Sequence, residues 1–337
     1  MATLKTHISW TDSTWNPTTG CTKVSAGCDH CYAEAMTNRL FGGGFETVRT
    51  HPDRLGQVSK FTPLRDDDGG LRPRLVFVNS MSDLFHDQIP DAFRDRTFAA
   101  IEATPWTIYQ VLTKRPMTLR RYAEARWQAA GVPANVWLGV SVEDNRVRGR
   151  IDQLRRLKDS VGPFTAFLSV EPLIGPCDQH DYRDIEQVLI GGESGPKARL
   201  LALEWARLAR DRGRDADAAL WFKQWGTWRS NPLYRAASSA RHLDRVRHAI
   251  AAGERLAAID TDRHGRPRVT GEKGGATLDG EVLHDHPPHF HRLTWLLRHA
   301  PHADPALAGA ATTMPPAWLS RQAAAAARPS PSMTIPT

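Results

Sequence analysis

The sequence lacks the marks of secreted and membrane-spanning proteins. Four cysteines occur in 337 residues, too few for a disulfide framework. No stretch approaches the ~18 consecutive apolar residues that a membrane crossing needs. Met1 to Gly20 contains no apolar core of a secretory signal. These absences lead us to expect a cytoplasmic protein without a membrane partner. In that reducing compartment, clustered thiols serve metals or catalysis rather than cross-links. Long runs of basic residues are missing as well. Lys plus Arg is 44 against 37 Asp plus Glu, a net charge of +7. The excess admits an anionic partner, nucleic acid included, without requiring one. No internal repeat is visible beyond a strand–helix rhythm. The length suffices for one large α/β domain and an appendage.

What the chain does have is a cysteine cluster. Cys21, Cys28 and Cys31 fall within eleven residues, spaced C-x6-C-x2-C, and Cys177 stands apart. Turn and strand formers precede the cluster, and Tyr32 to Leu40 reads as a helix, so the thiols belong to a loop. Structural zinc takes four protein ligands, and an ordinary [4Fe–4S] cluster takes four cysteines. Three cysteines leave one iron open to a ligand that is not protein. The alternative is a zinc ion completed by His30 or His51, in a non-catalytic nucleic-acid-binding protein.

The loop resembles that of the radical S-adenosylmethionine (SAM) superfamily. There the usual spacing is C-x3-C-x2-C with an aromatic before the last cysteine; here the first gap is six and His30 holds the aromatic place. The resemblance implies a [4Fe–4S] cluster on Cys21, Cys28 and Cys31. It implies SAM on the open iron, cleaved to a 5′-deoxyadenosyl radical, and an electron donor such as flavodoxin or ferredoxin.

Further along, short apolar runs alternate with polar signatures. Leu75–Val78 ends in Asn79-Ser-Met-Ser-Asp83, Thr107–Leu112 in Thr113-Lys-Arg115, and Val136–Val140 in Ser141-Val-Glu143. Thr165–Leu168 ends in Ser169-Val-Glu171, Val188–Ile190 in Gly191-Gly-Glu193, and Ala218–Phe222 in Lys223-Gln224. Near-continuous apolar runs are what strands covered on both faces require. Amphipathic stretches separate most of them, so the chain reads as βα units around a parallel sheet. Counting a first strand near Ile8–Trp10, we expect an α/β fold: an incomplete TIM-like (β/α)6-7 barrel with a small C-terminal appendage. The radical SAM core is a barrel of this kind.

In such a barrel the strand ends converge on one face and build the site. The resemblance gives the loop after the second strand, with Ser80, Ser82 and Asp83, the amino end of SAM. Ser141 and Glu143 are placed for its ribose hydroxyls. Gly191 and Gly192 have no side chain and would let backbone approach the adenine. Glu171, Glu193 and Lys223 are the candidate catalytic and ligand-binding charges at the mouth.

The barrel is expected over 1–228, the appendage over 229–300 and a disordered Ala/Pro/Ser-rich tail over 301–337. Within the appendage, 236–257 reads as helix, Ile259 to Val269 as a hairpin and Lys273 to Gly280 as a glycine-rich loop. His284-Asp-His-Pro-Pro-His-Phe-His291 places four histidines in eight residues without regular zinc spacing. Taken together, the motifs W-N-P-x-x-G-C, N-S-M-S-D-L-F-H, L-T-K-R-P, L-G-V-S-V-E, S-V-E-P-L, G-G-E-S-G and F-K-Q-W-G, in that order, resemble the phage gene-product 37/68 family. Its function is unestablished, and it is regarded as radical-SAM-like. It gives no substrate to carry over.

Overall fold

The structure is a computed structural model that describes residues 2–195, 197–227, 230–231, 259–261, 267–269, 276–279, 281–300, 302 and 305. Eight strands form the main sheet: β1 (Ala2–Thr3), β2 (Ser13–Trp15), β3 (Arg74–Val78), β4 (Thr107–Thr113), β5 (Val136–Ser141), β6 (Ala166–Val170), β7 (Gln187–Gly191) and β8 (Ala219–Gln224). They lie side by side in chain order. β2 to β8 are all parallel, and β1 pairs antiparallel with β2 at one edge. Helices α1 (Tyr32–Phe41), α2 (Asp91–Glu102), α3 (Pro116–Trp127), α4 (Gly149–Val161) and α5 (Leu203–Asp215) lie between strands, and α6 (Pro288–His299) follows the sheet. The result is an incomplete TIM-like barrel, as the rhythm of apolar runs predicts.

One expected boundary moves. The first barrel strand is Ser13–Trp15, not Ile8–Trp10. A turn closes Ile8 to Thr11, whose amide donates to the Ile8 carbonyl. The Asp12 carboxylate then accepts from the Leu75 amide at 2.8 Å and from Arg72. That anchor starts the parallel pairing one residue later.

Because side chains alternate across a strand, each strand feeds two cores. Val76, Val78, Tyr109, Val111, Leu138, Val140, Leu168 and Ile190 pack on the outside, among residues of the covering helices. Leu75, Phe77, Ile108, Trp137, Phe167, Leu189 and Trp221 fill the inside together with Trp10. Gly139 stands at an inward position because the Phe167 ring occupies its side-chain space; a Cβ there would lie 2.5 Å from that ring.

The inner core also receives Phe290, Leu293 and Leu296 of α6, so this helix plugs the barrel. The histidine-rich segment supplies the plug rather than a metal cage. His284 stacks on Trp221 at 4.2 Å, His286 on Phe290 at 4.1 Å, and His289 Nδ1 accepts from the Trp137 indole at 3.0 Å. Burial pushes His286 down to about 4 and His289 to about 3, so both are neutral packing groups. Before the plug, the chain runs antiparallel along β8, with Phe222 N donating to Leu283 O and Asp285 N to Leu220 O. That covers the exposed edge of an unclosed sheet.

The expected hairpin is seen as Ile259–Thr261 paired antiparallel with Pro267–Val269. Its turn, the expected helix 236–257, half of Lys273–Gly280 and nearly all of the expected tail lie outside the described residues.

Candidate active site

The inward positions change character toward the C-terminal strand ends. Trp137 and Gly139 give way to Ser141, Phe167 to Ser169, and Trp221 to Lys223. A cavity of about 250 Å3 opens there, floored by Trp10, Phe77 and Leu112. All three cysteines of the loop line it, as do Ser80, Ser82, Asp83, Ser141, Ser169, Glu171, Gly192, Glu193 and Lys223. The polar strand ends therefore share one face with the cysteine loop.

The loop is stitched to the strand ends on every side. Gly20 bridges to Ser82, and the Cys21 amide donates to the Phe45 carbonyl at 2.8 Å. Gly20 has a φ of +85°, and a Cβ on it would strike the Thr47 carbonyl. Cys31 starts α1 in an extended conformation, and α1 stops at Gly42, whose φ of +72° forms the left-handed cap. The Tyr32 hydroxyl donates to the Ser80 carbonyl. All four cysteines are free thiols. Cys177 is buried away from the others and donates to the Trp205 carbonyl.

Asp83, expected at the amino end of SAM, holds protein groups. Its carboxylate accepts from Phe85 N at 2.9 Å, Thr113 Oγ1 at 2.7 Å, Lys114 N at 3.0 Å and Arg115 Nη1 at 3.2 Å. Ser82 is bound to Thr18 through both hydroxyl and carbonyl. Ser80 exchanges hydrogen bonds with Asn16.

The three carboxylates after β5, β6 and β7 divide into two uses. Glu143, expected at the ribose, is 1% exposed and faces the loop. It accepts from Ser25 Oγ at 2.9 Å and from Arg150 Nη1 at 3.0 Å. A Cβ on Gly27 would lie 2.3 Å from it, so that glycine is what lets the loop close down. Glu193 accepts from Arg199 through Nε at 2.9 Å and Nη2 at 2.5 Å, and pairs with His30 Nδ1 at 2.9 Å. Arg199 in turn donates to the Ala26 carbonyl at 2.8 Å and reaches Asp29. Burial pushes the Glu193 carboxyl up, but the hydrogen bonds from Arg199 and His30 outweigh it and leave it below the ordinary carboxylate range. Glu171, which lines the cavity as Glu193 does, is bound to Lys223 Nζ of the cavity wall at 2.7 Å and to Gln224 Nε2 at 3.0 Å.

The two glycines expected at the adenine have protein neighbours. A Cβ on Gly192 would lie 2.0 Å from the Trp225 carbonyl oxygen, and one on Gly191 3.2 Å from the Glu171 carboxyl carbon. The bare α-carbon of Gly192 lets the chain after β7 approach the chain just after β8, and that of Gly191 leaves room for the Glu171 side chain.

Asn79 and Arg115 were not singled out by sequence reasoning as site residues. Asn79 is 3% exposed with a φ of +67°, lines the cavity and donates to Thr18 Oγ1. Its Oδ1 has no partner among the described residues, which suits a donor entering the cavity. Arg115 donates to the Cys21 sulfur at 3.4 Å. Both stood in plain view at the ends of β3 and β4, where position alone marked them.

The histidines beside the cysteine loop are already bonded within the protein. His30 is engaged by Glu193, His51 Nε2 by Thr19 at 2.8 Å, and His86 Nε2 by Thr22 at 2.8 Å. Among the described residues, no three His, Cys, Asp or Glu side chains converge closely enough to hold one metal ion. A single zinc needs that convergence.

Residues 5–288 match the family described as "Protein of unknown function (DUF5131)". The chain belongs to the DUF5131 family. That match gives it relatives and no activity. No curated protein matches the chain. Among solved structures, the DUF5131 chain is similar to a point variant of spore photoproduct lyase, at 14% identity over 62% of this chain and 64% of that one, TM-score 0.40. A variant of that lyase with bound AdoMet and dinucleoside spore photoproduct matches at 13% identity, over 60% and 61%, TM-score 0.38. The lyase complexed with dinucleoside spore photoproduct matches at 14% identity, over 62% and 64%, TM-score 0.37. The chain spans less than two thirds of the length of these structures. No helix of the described residues is long and apolar enough to cross a membrane.

Proposed function

We propose that the protein is a radical-SAM-like iron–sulfur enzyme acting on a substrate still to be identified. The observation that carries the reading is the placement of three free thiols in the cavity at the C-terminal ends of a parallel barrel. Cys21, Cys28 and Cys31 would hold a [4Fe–4S] cluster. When bound, such a cluster together with SAM supplies an electron and a 5′-deoxyadenosyl radical. The chain's own share is positioning and the exclusion of water. Glu143, Glu193 and Arg199 fix the loop; Asn79 Oδ1 and Ser80 offer acceptors for an ammonium; Trp10 and Phe77 give an apolar floor. Glu171 and Lys223 form the polar wall that a substrate would meet.

The test is anaerobic reconstitution. Brown protein with about four irons per chain, releasing 5′-deoxyadenosine from SAM on reduction, is the expected result. A colourless protein holding one zinc, or a fully loaded protein that neither binds nor cleaves SAM, rejects the reading.

A further inference from the structure

Among the described residues, Arg115 is the one that joins a cysteine sulfur to a buried charge network. It is 9% exposed, at the end of β4. Its Nη1 lies 3.4 Å from Cys21 Sγ and 3.2 Å from Asp83 Oδ2. Its Nη2 donates to the Thr22 carbonyl and hydroxyl, both at 2.9 Å. Asp83 is itself fixed by two backbone amides and the Thr113 hydroxyl. The guanidinium is thus held rigidly, with a hydrogen bond left over for sulfur. Among the described residues, no hydrogen bond to the sulfur of Cys28 or Cys31 is found, so the three thiols are not equivalent.

Resting on the iron–sulfur reading above, we infer that Arg115 is a positioning residue that raises the reduction potential of the cysteine site. Hydrogen bonds to ligand sulfurs and nearby charge set the potentials of such clusters. Adding an electron makes the site more negative, and a fixed guanidinium favours that state through a charge-assisted bond. The step is a one-electron transfer from an external donor of the ferredoxin or flavodoxin class, or dithionite in the assay; no bond forms or breaks. A role in loop structure alone would affect loading and leave the potential unchanged.

The experiment compares wild type, Arg115→Gln, Arg115→Lys and Ser25→Ala after anaerobic reconstitution. Iron content is measured first, and the midpoint is then read by electron paramagnetic resonance in a redox titration. Ser25→Ala removes a loop-holding hydrogen bond to Glu143 without touching a cysteine sulfur or changing the net charge. The expected result is iron in all four, with the Gln midpoint more negative by about tenfold in the reduced-to-oxidised ratio, ~59 mV for a one-electron couple. Lys should fall between, and Ser25→Ala should match wild type. If only the Lys variant loads, a negative shift in it still supports the inference. An unshifted or positive midpoint in the loaded variants, an equal shift in Ser25→Ala, or failure of both Arg115 variants to load makes Arg115 a purely structural residue and overturns the inference. Absence of iron from wild type overturns the iron–sulfur reading itself, a different outcome.

Discussion

At the scale of single residues, spacing told more than chemistry. Cys177 is as much a thiol as its three relatives, yet it packs in the outer core and donates to a backbone carbonyl. Replacing Cys21, Cys28 or Cys31 with Ala should each abolish iron loading, while Cys177→Ala should keep it; iron analysis after reconstitution checks this. The carboxylates were harder to read. Glu143, Glu171 and Glu193 follow three strands in the same way, and nothing local distinguishes them. What separates them is a set of distant partners, Ser25, His30 and Lys223, which only the fold brings near. Glu171→Gln should leave the melting temperature nearly unchanged and weaken ligand binding, whereas Glu193→Gln should loosen the loop. A lowered folded-state pKa stabilises the fold above the unfolded carboxyl value, and the effect is lost as pH falls through the folded value. Acidifying below the ordinary carboxylate range should therefore lower the wild-type melting temperature by a component that Glu193→Gln no longer shows. A pH series of thermal melts on the two proteins reads this difference.

At the scale of elements, the apolar runs located six of the parallel strands because each strand had to feed two cores. The first strand was missed because it is three residues long, STW, and its register is set by Asp12 reaching across to β3 rather than by an apolar run. The histidine segment lacks regular ligand spacing, and its rings serve as flat packing surfaces, a role composition does not distinguish from ligation. Helix α1 is unusual in what it leaves uncovered. Met36, Leu40 and Phe41 are 40%, 58% and 76% exposed. Leu40→Ser with Phe41→Ser should change stability by no more than ~0.5 kcal/mol each, since little burial is lost. Gly139→Ala should cost about 1–3 kcal/mol, because the Phe167 ring must leave its place. Urea denaturation of both variants checks the contrast.

At the scale of the whole molecule, the barrel is unclosed, and its lumen is sealed by a helix that arrives last in the described chain. Leu293 is 1% exposed within that seal. Leu293→Ala should destabilise the protein by about 2–5 kcal/mol, as deletion of buried methyls does elsewhere. Loss of stability without any loss in the sharpness of unfolding would show that plug and barrel melt together. The seal belongs to the segment that sequence composition marked off as an appendage.

The clasp of Glu143, Arg115, Glu193 and Arg199 on the cysteine loop has a practical meaning for the life of the protein. A loop already seated by ion pairs does not need metal in order to take its shape. Were the loop to carry the proposed cluster, the polypeptide would outlast its inorganic part: iron stripped by oxygen would be replaced in the same fold, as a bulb is changed without rebuilding the lamp. Far-ultraviolet circular dichroism of stripped and refilled protein should accordingly superimpose, and refilling should proceed without denaturant.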